Sequence, residues 1–248
     1  MTTRSTRAAL LAVLLLAFGL RVFLLDYQEL RGDEAFGYFF SLRTPRDIVG
    51  ATLALQEPHP VGSYLLQHGW LAAAGHSEYA LRFLSVWWSV LAVALLAGLA
   101  RALRLAPMSG LLATLLLALA PYAIWHAQDA RMYSMSLALT TASTLCMAGW
   151  LARRRWPWAA GYVLVTLLAL HVHYFAAFVV VAQYLFVMGQ AILDRRYRWS
   201  LLPWLGMQAA VALLYLPWLF VAAETLTGYG GNGTSPGAWR ALQQALGA

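Results

Sequence analysis

The sequence predicts an all-α polytopic membrane protein with about seven transmembrane helices, and three observations support this fold class. Of the 248 residues, 61% are hydrophobic and only 11% are charged, whereas a soluble domain has about a quarter charged residues. Apolar runs long enough to cross a bilayer recur along the chain. All 17 basic residues are Arg, and they cluster between these runs, which argues against a nucleic-acid partner. The one cysteine, Cys146, lies in an apolar run and forms neither a disulfide framework nor a Cys-based metal site.

Six apolar runs approach the roughly 20 residues that a membrane helix needs. They cover residues 8–25, 83–100, 105–125, 132–152, 156–193 and 199–223. As a single helix the fifth run would be roughly 57 Å long, nearly twice the bilayer core, so we expect it to fold back near residues 171–173 as two spans. We expect the first run to be a retained anchor, because no small-residue cleavage site follows it.

Four arginine clusters predict the orientation, since short cytoplasmic loops collect Arg. The clusters are Arg4/Arg7, Arg101/Arg104, Arg153/Arg154/Arg155 and Arg195/Arg196/Arg198. With seven spans and a cytoplasmic amino terminus, all four fall inside, and nine of the ten acidic residues fall outside. We therefore expect a multi-pass protein of the plasma or inner membrane whose chemistry is extracytoplasmic.

The first outer loop, residues 26–82, is too long for a simple connection and holds seven of the ten acids. We expect two amphipathic helices on the membrane surface within it, one from Pro45 through Leu55 with Thr44 as N-cap. The other covers residues 61–74, ends at Gly75 and carries Tyr64 and Trp70. Residues 1–223 would form one membrane module, followed by an outer tail at 224–248 that is rich in Gly, Ser, Thr and Pro over 227–237.

Two acidic motifs in this loop are candidate functional residues. Asp33 and Glu34 follow the first span, where burial and a neighbouring arginine could tune a general base, although acids are also favoured in the first turn of a helix. Glu57 and His59 lie in a Pro-containing turn that could aim both side chains at a substrate or a divalent cation. The alternative is a turn whose polar residues face water.

Arginines at the outer ends of spans form a second group of candidates. Arg82 and Arg131 could hold a lipid phosphate through the planar guanidinium group, or extend toward lipid headgroups without a specific ligand. Gln128 lies close to Arg131. His171 and His173 would point to different sides of a helix and are read as hydrogen-bonded residues of a turn.

As a set, these motifs resemble the GT-C superfamily of membrane glycosyltransferases, particularly its family-39, dolichyl-phosphate-mannose-protein mannosyltransferase-like group. The resemblance covers about residues 8–223, and it depends on the order of the motifs and on their position at one membrane side. The motifs are Arg31-Gly32-Asp33-Glu34, Glu57-Pro58-His59-Pro60-Val61-Gly62-Ser63-Tyr64, Glu78-Tyr79-Ala80-Leu81-Arg82-Phe83, Gln128-Asp129-Ala130-Arg131-Met132-Tyr133 and His171-Val172-His173-Tyr174.

The resemblance implies a polyprenyl-phosphate-linked sugar donor, an extracytoplasmic site and transfer with inversion to a protein, lipid or glycan acceptor. It implies that Asp33 is the catalytic carboxylate with Glu34 beside it, and that Glu57 matches a Glu of related aminoarabinose transferases. It also assigns the lipid phosphate to Arg82 and Arg131. We predict that His59, Gln128 and His173 also bind substrate.

The chemistry of such a transfer is compatible with these residues. A phosphate leaving group departs without a proton, so the reaction needs no paired general acid, and one base for the acceptor and cations for the phosphate suffice. Asp33 would be the base, while Arg82 and Arg131 would neutralise charge on the phosphate.

Two other interpretations stay open. Superfamily members usually have more spans, so the chain corresponds to their amino-terminal module and could be a fragment, a split enzyme or a degenerate copy. A non-catalytic lipid-binding or transport-related protein is the other class, but transporters tend to show repeats, broken helices and charges near the bilayer midplane. None of these features is evident in the sequence.

Overall fold

The structure is a computed structural model that describes residues 3–54, 57 and 59–228. Within this part of the chain all regular structure is helical, with no strand. The α-helices are α1 (Thr3–Val22), α2 (Gly32–Ser41), α3 (Pro45–Leu53), α4 (Gly62–Ala74), α5 (Glu78–Ala102), α6 (Pro107–Leu119), α7 (Pro121–Ala127), α8 (Tyr133–Arg153), α9 (Trp156–Val172), α10 (Ala176–Leu193) and α11 (Leu201–Gly228). A 3-10 helix, Arg195–Ser200, precedes α11.

Five of the described helices are long and apolar enough to cross a membrane, namely α1, α5, α8, α10 and α11. Helices α6 and α7 together are also long and apolar enough to cross a membrane. Helix α9 is apolar but has only 17 residues. The run at 156–193 breaks between α9 and α10, where the sequence predicts a reversal. These elements define a multi-pass helical membrane protein.

The third predicted span, residues 105–125, is broken at Ala120. Helices α6 and α7 meet there at an angle of 55°. Pro121 has no N–H to give to the carbonyl of Leu117, and it favours the extended conformation that Ala120 adopts (φ −62°, ψ 117°). The sequence analysis found no broken helix, so this break was not predicted.

Arg21, the one charge in the first apolar run, is completely buried against this break. Its Nε donates to Ser89 Oγ at 2.7 Å, and its terminal nitrogens donate to the carbonyls of Ala118 (3.0 Å) and Leu117 (3.3 Å). These carbonyls lie at the C-terminal end of α6, where the helix dipole favours a cation. Arg21 therefore holds α1 against α5 and against the bend.

Replacing Arg21 by Ala should lower the free energy of unfolding by about 3 kcal/mol, because buried carbonyls lose a charged donor. Thermal unfolding of the purified protein in detergent measures this. Arg7→Ala, which removes an exposed arginine of the same helix, is the matched control. Equal midpoints of thermal unfolding for the two variants would show that Arg21 does not stabilise the contact of α1 with α5 and the bend.

The first loop contains the two predicted helices, α3 and α4, and a third, α2, around the pair Asp33-Glu34. Thr44 caps α3 by accepting from the N–H of Asp47, and Gly75 (φ 90°) ends α4. Helix α5 begins at Glu78 behind Ser77, not at residue 83, so Arg82 lies within the helix.

The two aromatic residues of the predicted surface helix, Tyr64 and Trp70, both contact the rest of the protein. Tyr64 is buried with its ring 4.8 Å from that of Phe40, and Trp70 Nε1 donates to the carbonyl of Ala80 at 2.8 Å. Helix α11 continues through residue 228, beyond the predicted start of the flexible segment. The rest of the predicted tail, residues 229–248, lies outside the described residues.

Candidate functional site

Glu34 is the buried centre of the contact between the first loop and the helix bundle. Arg82 donates to both of its carboxylate oxygens at 2.9 Å, and the N–H groups of Ala130 (2.9 Å) and Arg31 (3.1 Å) complete its partners. Burial alone would raise the pKa of Glu34, but the hydrogen bonds from Arg82, Ala130 and Arg31 outweigh it and keep the pKa below its usual range. Glu34 is therefore a fixed anion rather than a proton acceptor.

Arg82 uses all five of its N–H donors on the protein. Besides Glu34 it binds the carbonyls of Leu25 (2.9 Å), Gln28 (2.7 Å) and Glu29 (3.1 Å). These hydrogen bonds hold residues 25–29, which follow α1, against α5. A lipid phosphate would reach the Arg82 guanidinium only by displacing them.

Arg131 is different because part of its guanidinium is unused. Its Nη1 makes long contacts with the Asp33 carbonyl (3.3 Å) and the Tyr64 hydroxyl (3.4 Å), and its Nη2 makes no hydrogen bond to the described residues. Its Nε is buried without a hydrogen-bond partner among the described residues. A partly exposed arginine with unpaired donors is suited to bind an anion.

Asp33 lies in the first turn of α2, as the alternative interpretation of the motif predicts, and its side chain is exposed. Its carboxylate makes no hydrogen bond and no ion pair with the described residues. The direct contact with Arg131 is through the backbone, because the Asp33 carbonyl accepts from Nη1 of Arg131 at 3.3 Å.

Glu57 and His59 contact each other in the segment before α4. His59 donates its backbone N–H to Glu57 Oε1 at 3.1 Å, and its Nδ1 contacts the same oxygen. Glu57 is buried and interacts with the Tyr64 hydroxyl and the charge of Arg131. Burial, and then the Glu57 carboxylate, raise the pKa of Tyr64, so this phenol stays protonated as a donor.

His173 completes the group from the turn between α9 and α10. Its ring lies 5.7 Å from that of His59 and 5.9 Å from that of Tyr133. Burial, followed by the charges of His59 and Arg131, lowers the pKa of His173 to about 4, so the ring is neutral at pH 7. Gly62 lets the start of α4 lie close to the end of α9, because a Cβ at this position would lie 2.5 Å from the carbonyl oxygen of His171.

Gln128 is not part of this group. Its Nε2 donates to the carbonyl of Phe23 at 2.8 Å, with longer contacts to those of Arg21 (3.4 Å) and Leu20 (3.5 Å). These are the carbonyls that the end of α1 leaves unpaired. Its substrate-binding role stays a prediction, whereas its C-capping role is evident from the geometry.

Asp129 is a buried acid to which the sequence assigned no role. Its Oδ2 lies 3.9 Å from Nδ1 of His126, whose two ring nitrogens are buried without partners among the described residues. Burial, followed by the Glu34 carboxylate, raises the pKa of Asp129 to about 6 although Arg31 and Arg131 oppose the shift. Its position two residues before Arg131 in the same motif could have marked Asp129 as a candidate site residue. Its burial could not be predicted from the sequence.

Asp129→Asn should therefore stabilise the protein at pH 8 by up to about 3 kcal/mol and have little effect at pH 4. The folded pKa of about 6 exceeds the ordinary 3.8, so the favourable contribution of the protonated acid is complete below 3.8 and is lost as the pH rises through 6. Thermal unfolding from pH 4 to 8 measures the difference, with the exposed Asp26→Asn as control. A gain in stability of Asp129→Asn that does not vary with pH would contradict the raised pKa of Asp129.

The cavity beside Arg131 is small. It measures about 20 Å³, enough for roughly one water molecule, and its lining includes Tyr64, Arg131 and Met132. Asp33 is not in that lining. No group of three or more His, Cys, Asp or Glu side chains suited to a metal occurs in the described part of the chain, and the divalent cation on Glu57 and His59 stays a prediction.

Comparison with known proteins adds no family assignment. No protein-family model matches the chain, and no curated protein matches it significantly.

Proposed function

We propose that this protein is an inverting glycosyltransferase that moves a sugar from a polyprenyl-phosphate donor to an acceptor at the extracytoplasmic membrane face. The observation that supports this best is the position of Asp33 beside Arg131. The Asp33 carboxylate is exposed and makes no hydrogen bond to the described residues, while its backbone carbonyl accepts from Nη1 of Arg131 at 3.3 Å. The other terminal nitrogen of this half-buried guanidinium makes no hydrogen bond to the described residues. A base and a phosphate-binding cation are the minimum that such a transfer needs.

In the proposed reaction, Asp33 accepts the proton of an acceptor hydroxyl as its oxygen attacks the anomeric carbon from the face opposite the phosphate. The bond from the anomeric carbon to the phosphate oxygen breaks, and the electron pair leaves with the polyprenyl phosphate. Arg131 neutralises the charge that develops there. Glu57, His59 and His173 would line the sugar, with the Tyr64 hydroxyl as a further donor.

The roles of Glu34 and Arg82 change in this proposal. Glu34 is held by four hydrogen bonds and Arg82 has no unused donor. They position α2, and therefore Asp33, against the bundle. Arg131 is left as the cation for the lipid phosphate.

The direct test is incubation of the purified protein with a panel of polyprenyl-phosphate sugars and candidate acceptors. We expect at least one donor to give transfer, or slow hydrolysis to free sugar, with inverted anomeric configuration by NMR. Retention of configuration would exclude the proposed mechanism. Failure with every donor would favour the transport-related or inactive-module alternatives.

Arg131→Gln should raise KM for the active donor by about tenfold or more, since a charge-assisted hydrogen bond to phosphate is lost. Steady-state kinetics over a donor series measures this. Arg43→Gln removes an exposed loop arginine and should leave KM unchanged. The same KM in both variants would remove Arg131 from donor binding.

The break between α6 and α7 and the buried Arg21 favour a transport-related protein as a second candidate, because broken helices and buried charges are common in transporters. Arg21 lies in the last turn of α1, however, and not in its middle. Proteoliposomes with donor in one leaflet separate the two functions: a transporter would move the intact donor across, whereas a transferase would consume it.

A further inference from the structure

A cleft of about 800 Å³ opens at the end of the bundle opposite the candidate site. Its walls are the end of α5, the second half of α8, residues 179–190 of α10 and the 3-10 helix. Arg82 and Ala102 lie 20 residues apart on α5, which corresponds to roughly 30 Å. The cleft and the candidate site are therefore separate.

Three arginines border this cleft, from three of the four clusters on which the predicted orientation depends. They are Arg104, Arg154 and Arg196, and Asp194 is the one acid in the lining. Asp194 accepts the backbone N–H of Arg196 at 2.9 Å, and Arg154 lies over the ring of Trp199 at 4.2 Å. The mouth has a net charge of +2.

The interior of the cleft is largely apolar. Met147, Leu151, Val179 and Phe186 contribute to it. The buried Gln183 is also in the lining, but its amide is engaged by polar side chains of the neighbouring helices. These partners are Ser143 and Thr144, to which it donates at 3.2 and 3.0 Å, and Tyr162, from which it accepts at 3.1 Å.

An apolar recess beneath a cationic rim matches an anionic amphiphile. The volume lies within the roughly 300–1,000 Å³ of ligand sites, and basic pockets between membrane helices are known to hold acidic lipid headgroups. We propose that this cleft binds an anionic phospholipid, with its phosphate at Arg104, Arg154 and Arg196 and an acyl chain between α8 and α10. This proposal does not depend on the proposed function.

The test compares two double variants with the same change in charge. Arg104→Gln/Arg196→Gln removes two rim charges, and Arg101→Gln/Arg195→Gln removes two exposed arginines outside the lining. Purified, delipidated protein is titrated with phosphatidylglycerol in detergent, and binding is followed by native mass spectrometry. We expect the rim variant to bind on the order of tenfold more weakly than the wild type, and the control to stay within about twofold.

A steric variant tests the apolar part of the cleft. Ala182→Trp fills it from α10, whereas Ala177→Trp adds the same bulk to an exposed position of α10 outside the lining. Only the first should reduce phosphatidylglycerol binding. Circular dichroism and thermal unfolding confirm that each variant folds.

Three results would overturn the proposal. Equal weakening by both arginine pairs would show general attraction to the membrane surface. Equal affinity for phosphatidylcholine would show a site without headgroup recognition. Competition by glycerol phosphate at the same concentration as the lipid would show a site for a soluble anion.

Discussion

Asp33→Asn is expected to lower turnover of the active donor by about 10²–10⁴-fold, the usual contribution of a general base. The amide preserves the shape of the side chain but does not accept the proton of the acceptor. The Asp33 carboxylate makes no hydrogen bond to the described residues and is exposed. The midpoint of thermal unfolding should therefore stay within about 1 °C of the wild type.

A change at another exposed acid separates a catalytic role of Asp33 from a general effect of lost negative charge. Asp47→Asn, which changes an exposed acid in the first turn of α3, should retain the wild-type rate. A wild-type rate for Asp33→Asn would remove Asp33 from the mechanism.

Local features of the fold could be predicted where backbone chemistry determines them. Thr44 before Pro45 and Gly75 after an amphipathic segment are strong helix-end signals, and both helices form where they predict. The break at Ala120 was missed although Pro121 is visible in the sequence. Hydropathy is continuous across it, and the burial of Arg21 that satisfies the freed carbonyls is a long-range contact.

In the candidate site, too, local features could be predicted from the sequence and long-range contacts could not. Arg82 and Arg131 lie near the starts of α5 and α8 and His173 at the end of α9, but the partners of these side chains do not follow from their spacing in the sequence. Arg82 and Arg131 look equivalent in the sequence. In the structure the first uses every donor on carbonyls and on Glu34, whereas the second has donors to spare. Tyr64 and Asp129 were missed as members because only tertiary packing buries them.

Glu34→Gln is expected to lower the free energy of unfolding by about 3–5 kcal/mol, because it leaves the buried Arg82 without its carboxylate partner. The exposed fraction of the Arg82 side chain is 3% and that of Glu34 is 1%, so water does not replace the lost contacts. Thermal and urea unfolding in detergent measure the loss. Glu29→Gln, an exposed acid of the same loop, should change stability little.

The pH dependence gives this prediction a second readout. Because the folded pKa of Glu34 lies below its ordinary value of 4.5, its stabilising contribution is complete above pH 4.5 and is lost as the pH falls through the folded pKa. The wild type should therefore lose stability below pH 4.5, and Glu34→Gln should lose less over the same interval.

A double-mutant cycle then isolates the ion pair from its surroundings. If Glu34 and Arg82 act as a pair, Glu34→Gln/Arg82→Gln should be less destabilised than the sum of the two single variants by at least about 1 kcal/mol. Arg82 also holds three backbone carbonyls, so the double variant should still be weaker than the wild type. Additive losses would mean that Arg82 acts through those carbonyls alone, and that α2 is held in place by the N–H groups of Ala130 and Arg31.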